Sequence, residues 1–280
     1  MRTRYTTTQI LEAYAHHPLT LDSIRGRLSG ATSRGLPLSE LDLAVDAVHG
    51  ITDQNHIGGA LSTLHLALRT HLTAADRVLD LGCGIGGPAR LLAEVFGCEV
   101  RGLDINARRV VEARQLTALV GLDRRVEFEC ADLLQAMPER EYSVVWAQNA
   151  WIHIDRPARL AAIAASALVP RGRLAFEDVC LRRIARDSTE RQWMETLCDS
   201  WRSTFSLVQD WCDGFERTGF RIGLLEELDA TLRGALDRNC ALAANHPQQY
   251  PAIEVDGWKA AQELSRSGVI GYSRVVGALP

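Results

Sequence analysis

At 280 residues, 46% hydrophobic and 24% charged with a formal net charge of −4, the chain can bury one substantial core and has the make-up of a soluble globular protein. No apolar run approaches the roughly 20 residues of a membrane span and no basic block marks a nucleic-acid surface, so neither a membrane nor a nucleic acid is an expected partner. Seven cysteines stand without a Cys-x-x-Cys pair or metal-type spacing and read as reduced thiols. The polar start has no hydrophobic region after its basic residues, so a cytoplasmic location is expected rather than secretion.

Residues 1–72 show helical patterning over 10–16, 19–28 and 41–48, broken by Gly26, Gly30, Gly35 and Pro37, and predict a helical N-terminal extension. Gly58-Gly59 then opens a helix with Leu61, Leu64, Leu68 and Leu72 at helical spacing, leading into the first strand at Val78, Leu79 and Leu81. Gly82, Gly84 and Gly86 permit a tight bend, and the run from Pro88 to Phe96 reads as a helix whose N-terminus points at that bend. Strands at 99–103, 126–129, 143–147 and 174–177 follow, with helices at 107–119 and 159–168.

The alternation fails over 181–218, where four arginines (182, 183, 186, 191) precede Trp193, Met194, Leu197, Trp201 and Phe205; this segment reads as a helical insertion over the site. A strand near 220–225, helices near 229–244 and 257–266, and a last strand at 270–277 complete the chain. Residues 73–280 are therefore expected to form an α/β, Rossmann-like, doubly wound unit with a mostly parallel seven-stranded sheet. In such sheets the ligand lies beyond the carboxyl ends of the strands at the topological switch point. The residues at those ends are Gly82 to Gly86, Asp104, Asp132, the stretch from Gln148 to His153, and Glu177 with Asp178.

A glycine turn after a strand is shared by nicotinamide, flavin and S-adenosylmethionine proteins, so its surroundings must discriminate. Here the acidic residue lies inside the strand, in Asp80-x-Gly82-x-Gly84-x-Gly86, with Pro88 just after the turn. Asp104 ends the second strand about 20 residues on, where a carboxylate can accept ribose hydroxyls. The stretches from Glu127 to Leu133, from Tyr142 to His153 and from Leu168 to Asp178 complete five signals in one order. Together they resemble the motifs of class I S-adenosylmethionine-dependent methyltransferases. Asp53-Gln54-Asn55-His56-Ile57-Gly58-Gly59 and the closing segments after Trp211 are similar to the sarcosine/dimethylglycine and tocopherol methyltransferase-like branch, which methylates small metabolites.

The resemblance implies S-adenosyl-L-methionine as cofactor, held by Gln54, Asp80, Gly82, Gly84, Gly86, Asp104, Ile105, Asp132, Leu133 and Gln148, with Asp132 on the adenine amino group and Leu133 over the ring. It implies a small-molecule acceptor, a specialised metabolite in the leading reading; a homo-oligomer is compatible with the sequence. One departure is Asn149, where many relatives are acidic, because an amide is no general base at neutral pH. That leaves His153 as the first candidate base and Glu177 as the second, either needed only when the nucleophile must lose a proton.

Trp146, Trp151, Trp193 and Trp201 are candidates for an apolar pocket wall, although aromatics at helical spacing more often fill a core. The arginines at 182–191 are candidates for a carboxylate or diphosphate, although a solvated helix face is commoner. Three alternatives stay open: a magnesium-dependent prenyl diphosphate C-methyltransferase, a cyclase or binding protein that keeps the cofactor only as scaffold, and a nicotinamide-dependent oxidoreductase.

Overall fold

A computed structural model describes residues 5–15, 19–25, 53, 54, 56–136, 138–248 and 250–280. Its centre is one seven-stranded sheet in the order β3-β2-β1-β4-β5-β7-β6. The strands are β1 (Arg77–Leu81), β2 (Glu99–Asp104), β3 (Val126–Cys130), β4 (Tyr142–Gln148), β5 (Leu168–Leu181), β6 (Arg221–Glu227) and β7 (Ile270–Ala278). β1 to β5 pair in parallel, whereas β7 runs antiparallel between β5 and β6.

The central strands are apolar on both faces because helices cover both. Leu79, Leu81, Val145 and Phe176 point into one core with Trp211 and Phe215. Val78, Val144, Trp146 and Ala175 point into the other, with Leu66, Leu92 and Ala113. The helices that bury these residues include α2 (Gly59–Arg69), α3 (Gly87–Phe96), α4 (Ala107–Leu119), α5 (Pro157–Ala167) and α7 (Val208–Arg217). A third cluster joins β7 to α6 (Ser188–Trp201), α8 (Asp229–Asn245) and α9 (Ala252–Arg266).

Two elements depart from the sequence reading. β5 begins at Leu168, where a helix end was expected, and reaches Leu181, beyond the expected 174–177. Its early part is kinked, with a register shift against β4 between Tyr142 and Val144, and its late part is extended by antiparallel pairing with β7 as far as Leu181 opposite Ile270. The second difference is the segment 181–218: α6 joins the cluster with α9, and α7 is an ordinary covering helix whose Trp211 and Phe215 are core. Neither helix lines the cavity described below.

In the N-terminal region the structure places α1 (Thr7–Ala15) and a helical turn at 21–25; the helix expected over 41–48 lies outside the described residues. Among the described residues no helix is long and apolar enough to cross a membrane.

Phe215 is wholly buried against Trp151, Phe176 and Trp211. Phe215→Ala is therefore expected to lower the unfolding free energy in urea by about 3–5 kcal/mol. The half-exposed Leu225 on β6 should tolerate alanine within about 0.5 kcal/mol.

Candidate functional site

β1 stands between β2 and β4, so the loops leaving the carboxyl ends of β1 and β4 diverge and open a crevice. The turn after β1 is pinned to the end of β2, with the Gly82 and Cys83 N–H groups donating to the Leu103 carbonyl at 2.8 and 3.1 Å. Gly82 sits at φ +99°, and a Cβ there would stand 2.3 Å from Cβ of Ala150 in the β4 loop. Only glycine satisfies both the left-handed backbone and that close approach.

The crevice holds a cavity of about 350 Å³. Its floor is Asp80, Gly82, Cys83, Gly84, Ile85, Gly87 and Pro88, and its sides are Asp104, Ile105, Asn106, Arg109, Asp132, Leu133 and Leu134. Gln148, Asn149, Ala150, His153 and Ile154 form the far wall, Asp53 and His56 contribute from the upstream segment, and Tyr5 and Thr6 with Thr7, Ile10, Leu11 and Tyr14 of α1 line the top. Of the residues anticipated as functional, Asp80, Gly82, Gly84, Asp104, Ile105, Asp132, Leu133, Gln148 and His153 thus meet on one cavity.

The acidic groups there differ in state. Asp104 is oriented by backbone donors, with Gly84 N–H on Oδ2 and Asn106 N–H on Oδ1, both at 2.8 Å. Asp132 takes the Leu134 N–H at 2.9 Å on one oxygen and the Gln135 side chain at 2.9 Å on the other. Asp80 is buried, its Oδ2 has no partner among the described residues, and burial with the nearby Asp104 charge pushes its carboxyl up to about 8.

On the far wall, His153 Nδ1 lies 3.0 Å from the Arg202 carbonyl, and the Tyr14 hydroxyl lies 2.9 Å from Nε2. A carbonyl only accepts, so the ring proton belongs on Nδ1, and Nε2 accepts from Tyr14. Burial lowers the pKa of His153 below the usual imidazole value.

Several anticipated residues lie elsewhere. Glu177 is wholly buried and off the cavity: Arg274 Nε donates to it at 2.7 Å, the Tyr272 hydroxyl at 2.8 Å, and Ser62 Oγ as well. Held by a cation and two hydroxyls, it is not placed to take a proton from a ligand. Asp178 is not exposed either; it accepts the Trp151, Ile152 and Val179 N–H groups and shapes the loop that carries His153. Burial raises its carboxyl to about 7.

Gln54 gives its amide to Asp53, and its carbonyl accepts from the Thr63 hydroxyl and lies 3.1 Å from His56 Nε2; Asp53 and His56 line the cavity, and Gln54 does not. Gly86 faces the core, where a Cβ would stand 2.3 Å from the Phe128 ring. Its role is close packing rather than ligand contact.

Trp151 is core, stacked among Phe176 and Trp211, with its indole N–H donated to the Leu81 carbonyl at 3.1 Å. Trp146 is equally buried on the opposite face, and Trp193 and Trp201 pack on the third cluster. Arg182 is bonded to Asp229 and Ser273, and Arg183 to Glu190. Arg186 and Arg191 are likewise away from the cavity, so none of the four arginines anticipated for a diphosphate lines it.

Arg109, Asp53 and Tyr14 are cavity residues that the sequence reading did not single out. Arg109 follows Asp104 by five positions, in the first turn of α4 behind the N-cap Asn106, so the helix start after β2 was the available signal. Asp53 stood in the upstream motif but is seen to face Arg90 only in the fold, at 2.5 Å. Tyr14 lies in the extension with no motif, and only the tertiary structure brings it to His153.

A sequence profile described as a methyltransferase domain matches residues 78–172. The chain is 28% identical over 69% of its length to the chloroplastic tocopherol O-methyltransferase of Arabidopsis thaliana, covering 54% of that protein. It is 37% identical over 42% of its length to the 27-O-demethylrifamycin SV methyltransferase of Amycolatopsis mediterranei, covering 44% of it. The chain thus spans about half the length of these curated relatives.

A solved structure from Galdieria sulphuraria, provisionally assigned as a sarcosine dimethylglycine methyltransferase, superposes with a TM-score of 0.70 at 17% identity, over 92% of this chain and 98% of that one. That likeness fixes the fold. The profile match gives residues 78–172 a methyltransferase domain, and the curated relatives make the chain similar to S-adenosylmethionine-dependent methyltransferases of class I.

Proposed function

We propose that the protein transfers the methyl group of S-adenosylmethionine to a small-molecule acceptor, in-line, with a specialised metabolite as the substrate class. The observation that carries this reading is the placement of Asp104 and Asp132, on successive strand ends, in one cavity with the Tyr14–His153 pair. The family match sets the nicotinamide alternative aside.

The residues present fit the cofactor. Asp104, held by two backbone N–H groups, keeps lone pairs for ribose hydroxyls, and Asp132 with Leu133 suits an adenine amino group and ring face. The orphaned Asp80 oxygen needs a donor, which an amino group supplies. When bound, the cofactor brings a methyl group already activated on a sulfonium, and the neutral thioether that leaves needs no acid.

The protein's work is then to hold the acceptor in line and dry; positioning of that kind is worth roughly 7–11 kcal/mol. Residues of α1 line the cavity and shield that side of it from water. For a hydroxyl acceptor, the Tyr14 oxygen takes the acceptor's proton while the phenolic proton passes to His153 Nε2, with Nδ1–H remaining on the Arg202 carbonyl. Burial raises the Tyr14 pKa and lowers that of His153, so both begin neutral, as the relay requires. The similarity to a tocopherol O-methyltransferase over 69% of the chain supports a hydroxyl acceptor, whereas the similar phosphoethanolamine N-methyltransferase and sterol 24-C-methyltransferase match shorter stretches.

Asp104→Ala should weaken S-adenosylhomocysteine binding by about tenfold or more in calorimetry, the cost of a lost charged hydrogen-bond acceptor. Unchanged affinity would contradict the assignment. With deuterated-methyl cofactor and a panel of phenols and aliphatic alcohols, label should appear in product. His153→Ala and Tyr14→Phe should each lower kcat by roughly 10²-fold, whereas an effect on KM alone would demote the pair to positioning. Because the His153 pKa is lowered and the neutral ring is the active form, activity should hold as pH falls to 6.5 and decline only below it; an acid limb centred above 6.5 would contradict the relay.

A further inference from the structure

The fold satisfies its other deeply buried arginines fully. Arg90 is bonded to Asp53, Thr117 and the carbonyls of Ile85 and Ala113, and Arg274 to Glu177 and Glu226. Arg109 is 5% exposed and departs from that pattern. Among the described residues its guanidinium has no ion pair or hydrogen bond, and Nε is buried without a partner. It is also the one arginine or lysine among the described residues that line the cavity.

The geometry leaves an edge open. The Arg109 guanidinium carbon lies over the Tyr14 ring, 4.9 Å from its centroid, and a guanidinium presents its N–H groups in its own plane. A Cβ built on Gly84 would stand 3.6 Å from Nε and 3.8 Å from Nη2, so these two nitrogens are the part of the guanidinium beside the glycine turn. None of the cavity's own carboxylates bonds the guanidinium: Asp53 is paired with Arg90, Asp104 is held by the Gly84 and Asn106 N–H groups, and Asp132 by Leu134 and Gln135. Asp80, raised to about 8, is largely neutral at pH 7. A buried cation so placed is costly unless a ligand brings the counter-charge.

We infer that Arg109 is the cavity's receptor for a carboxylate, taken side-on by two parallel N–H bonds from its Nε–Nη2 edge. Given the proposed methyltransferase activity, on which the choice of carriers rests, the carboxylate belongs either to the cofactor's amino-acid end or to the acceptor.

Calorimetry on the full chain separates these sources. The probes are S-adenosylhomocysteine, which carries a carboxylate, 5′-methylthioadenosine, which shares its nucleoside and thioether but has none, and acetate added to protein loaded with S-adenosylhomocysteine. If the cofactor supplies the group, Arg109→Met weakens S-adenosylhomocysteine by about tenfold or more and leaves methylthioadenosine within about twofold. If the acceptor supplies it, both nucleosides are unaffected, and acetate binding to loaded wild type disappears in the variant. Arg109→Lys, which keeps the charge without the fork, should lose most of the same effect.

Removing an unpaired buried charge should leave the melting temperature of the unliganded variant unchanged or raised. A lowered melting temperature with equal losses for both nucleosides would make Arg109 a strut for Tyr14 and overturn the inference. So would a variant that matches wild type towards all three probes. Failure of wild type to bind either nucleoside would refute the methyltransferase reading itself; acetate titration of unliganded wild type and variant, followed by thermal shift, would still decide the role of Arg109.

Discussion

The site depends on one topological constraint, the reversal of strand order at β1. Because β2 and β4 flank β1 and the chain leaves to opposite sides, the loops at 82–86 and 148–153 cannot close over each other. The crevice is thus a consequence of connectivity, and the glycines narrow it. Gly82 lets the two loops touch at Ala150, and Gly86 lets the turn sit on Phe128. Carboxylates at the ends of β1, β2 and β3 then face one space without needing to pack against each other.

Behind that space lies a wall of buried polar groups that fixes its shape. Glu177 and Arg274 form an ion pair at 2.7 Å, with Tyr272 and Ser62 completing the shell around the carboxylate. Removing one partner of such a pair typically costs about 3–5 kcal/mol, because the other charge is stranded. Asn149 joins this wall to the loop. Its carbonyl accepts the Ile57 N–H and lies 2.7 Å from the Tyr272 oxygen, and its amide donates to Asp178. A carboxylate at 149 could accept but not donate, and it would face the carboxyl of Asp178. The amide therefore follows from the electrostatics of the wall, and it tolerates the left-handed backbone, φ +51°, that the loop adopts there.

What the sequence disclosed and what it hid follow the same physics. The strand–turn–helix at 78–96, Asp104 and Asp132 were legible because each is local: an apolar run, a glycine and an acid at a strand end lie within a few residues. The strand order and cavity floor follow from those signals. Glu177 was misjudged because its fate depends on Arg274, nearly a hundred residues away on an antiparallel strand. The tryptophans were ambiguous because an aromatic lines a core or a pocket with the same spacing, and only the indole bond to Leu81 settles Trp151. Tyr14 and Arg109 were hidden for a further reason: their partnership across α1 and α4 has no sequence periodicity at all.

If the cavity works as proposed, it seats an S-adenosyl nucleoside with its sulfur turned toward Tyr14 and His153. The decisive measurement is a crystal structure of the chain with S-adenosylhomocysteine. The ribose is expected on Asp104, the adenine against Leu133 with its amino group toward Asp132, and the thioether on the side of the cavity that holds Tyr14 and His153. A nucleoside bound elsewhere, or one whose sulfur faces away from that pair, would contradict the proposal.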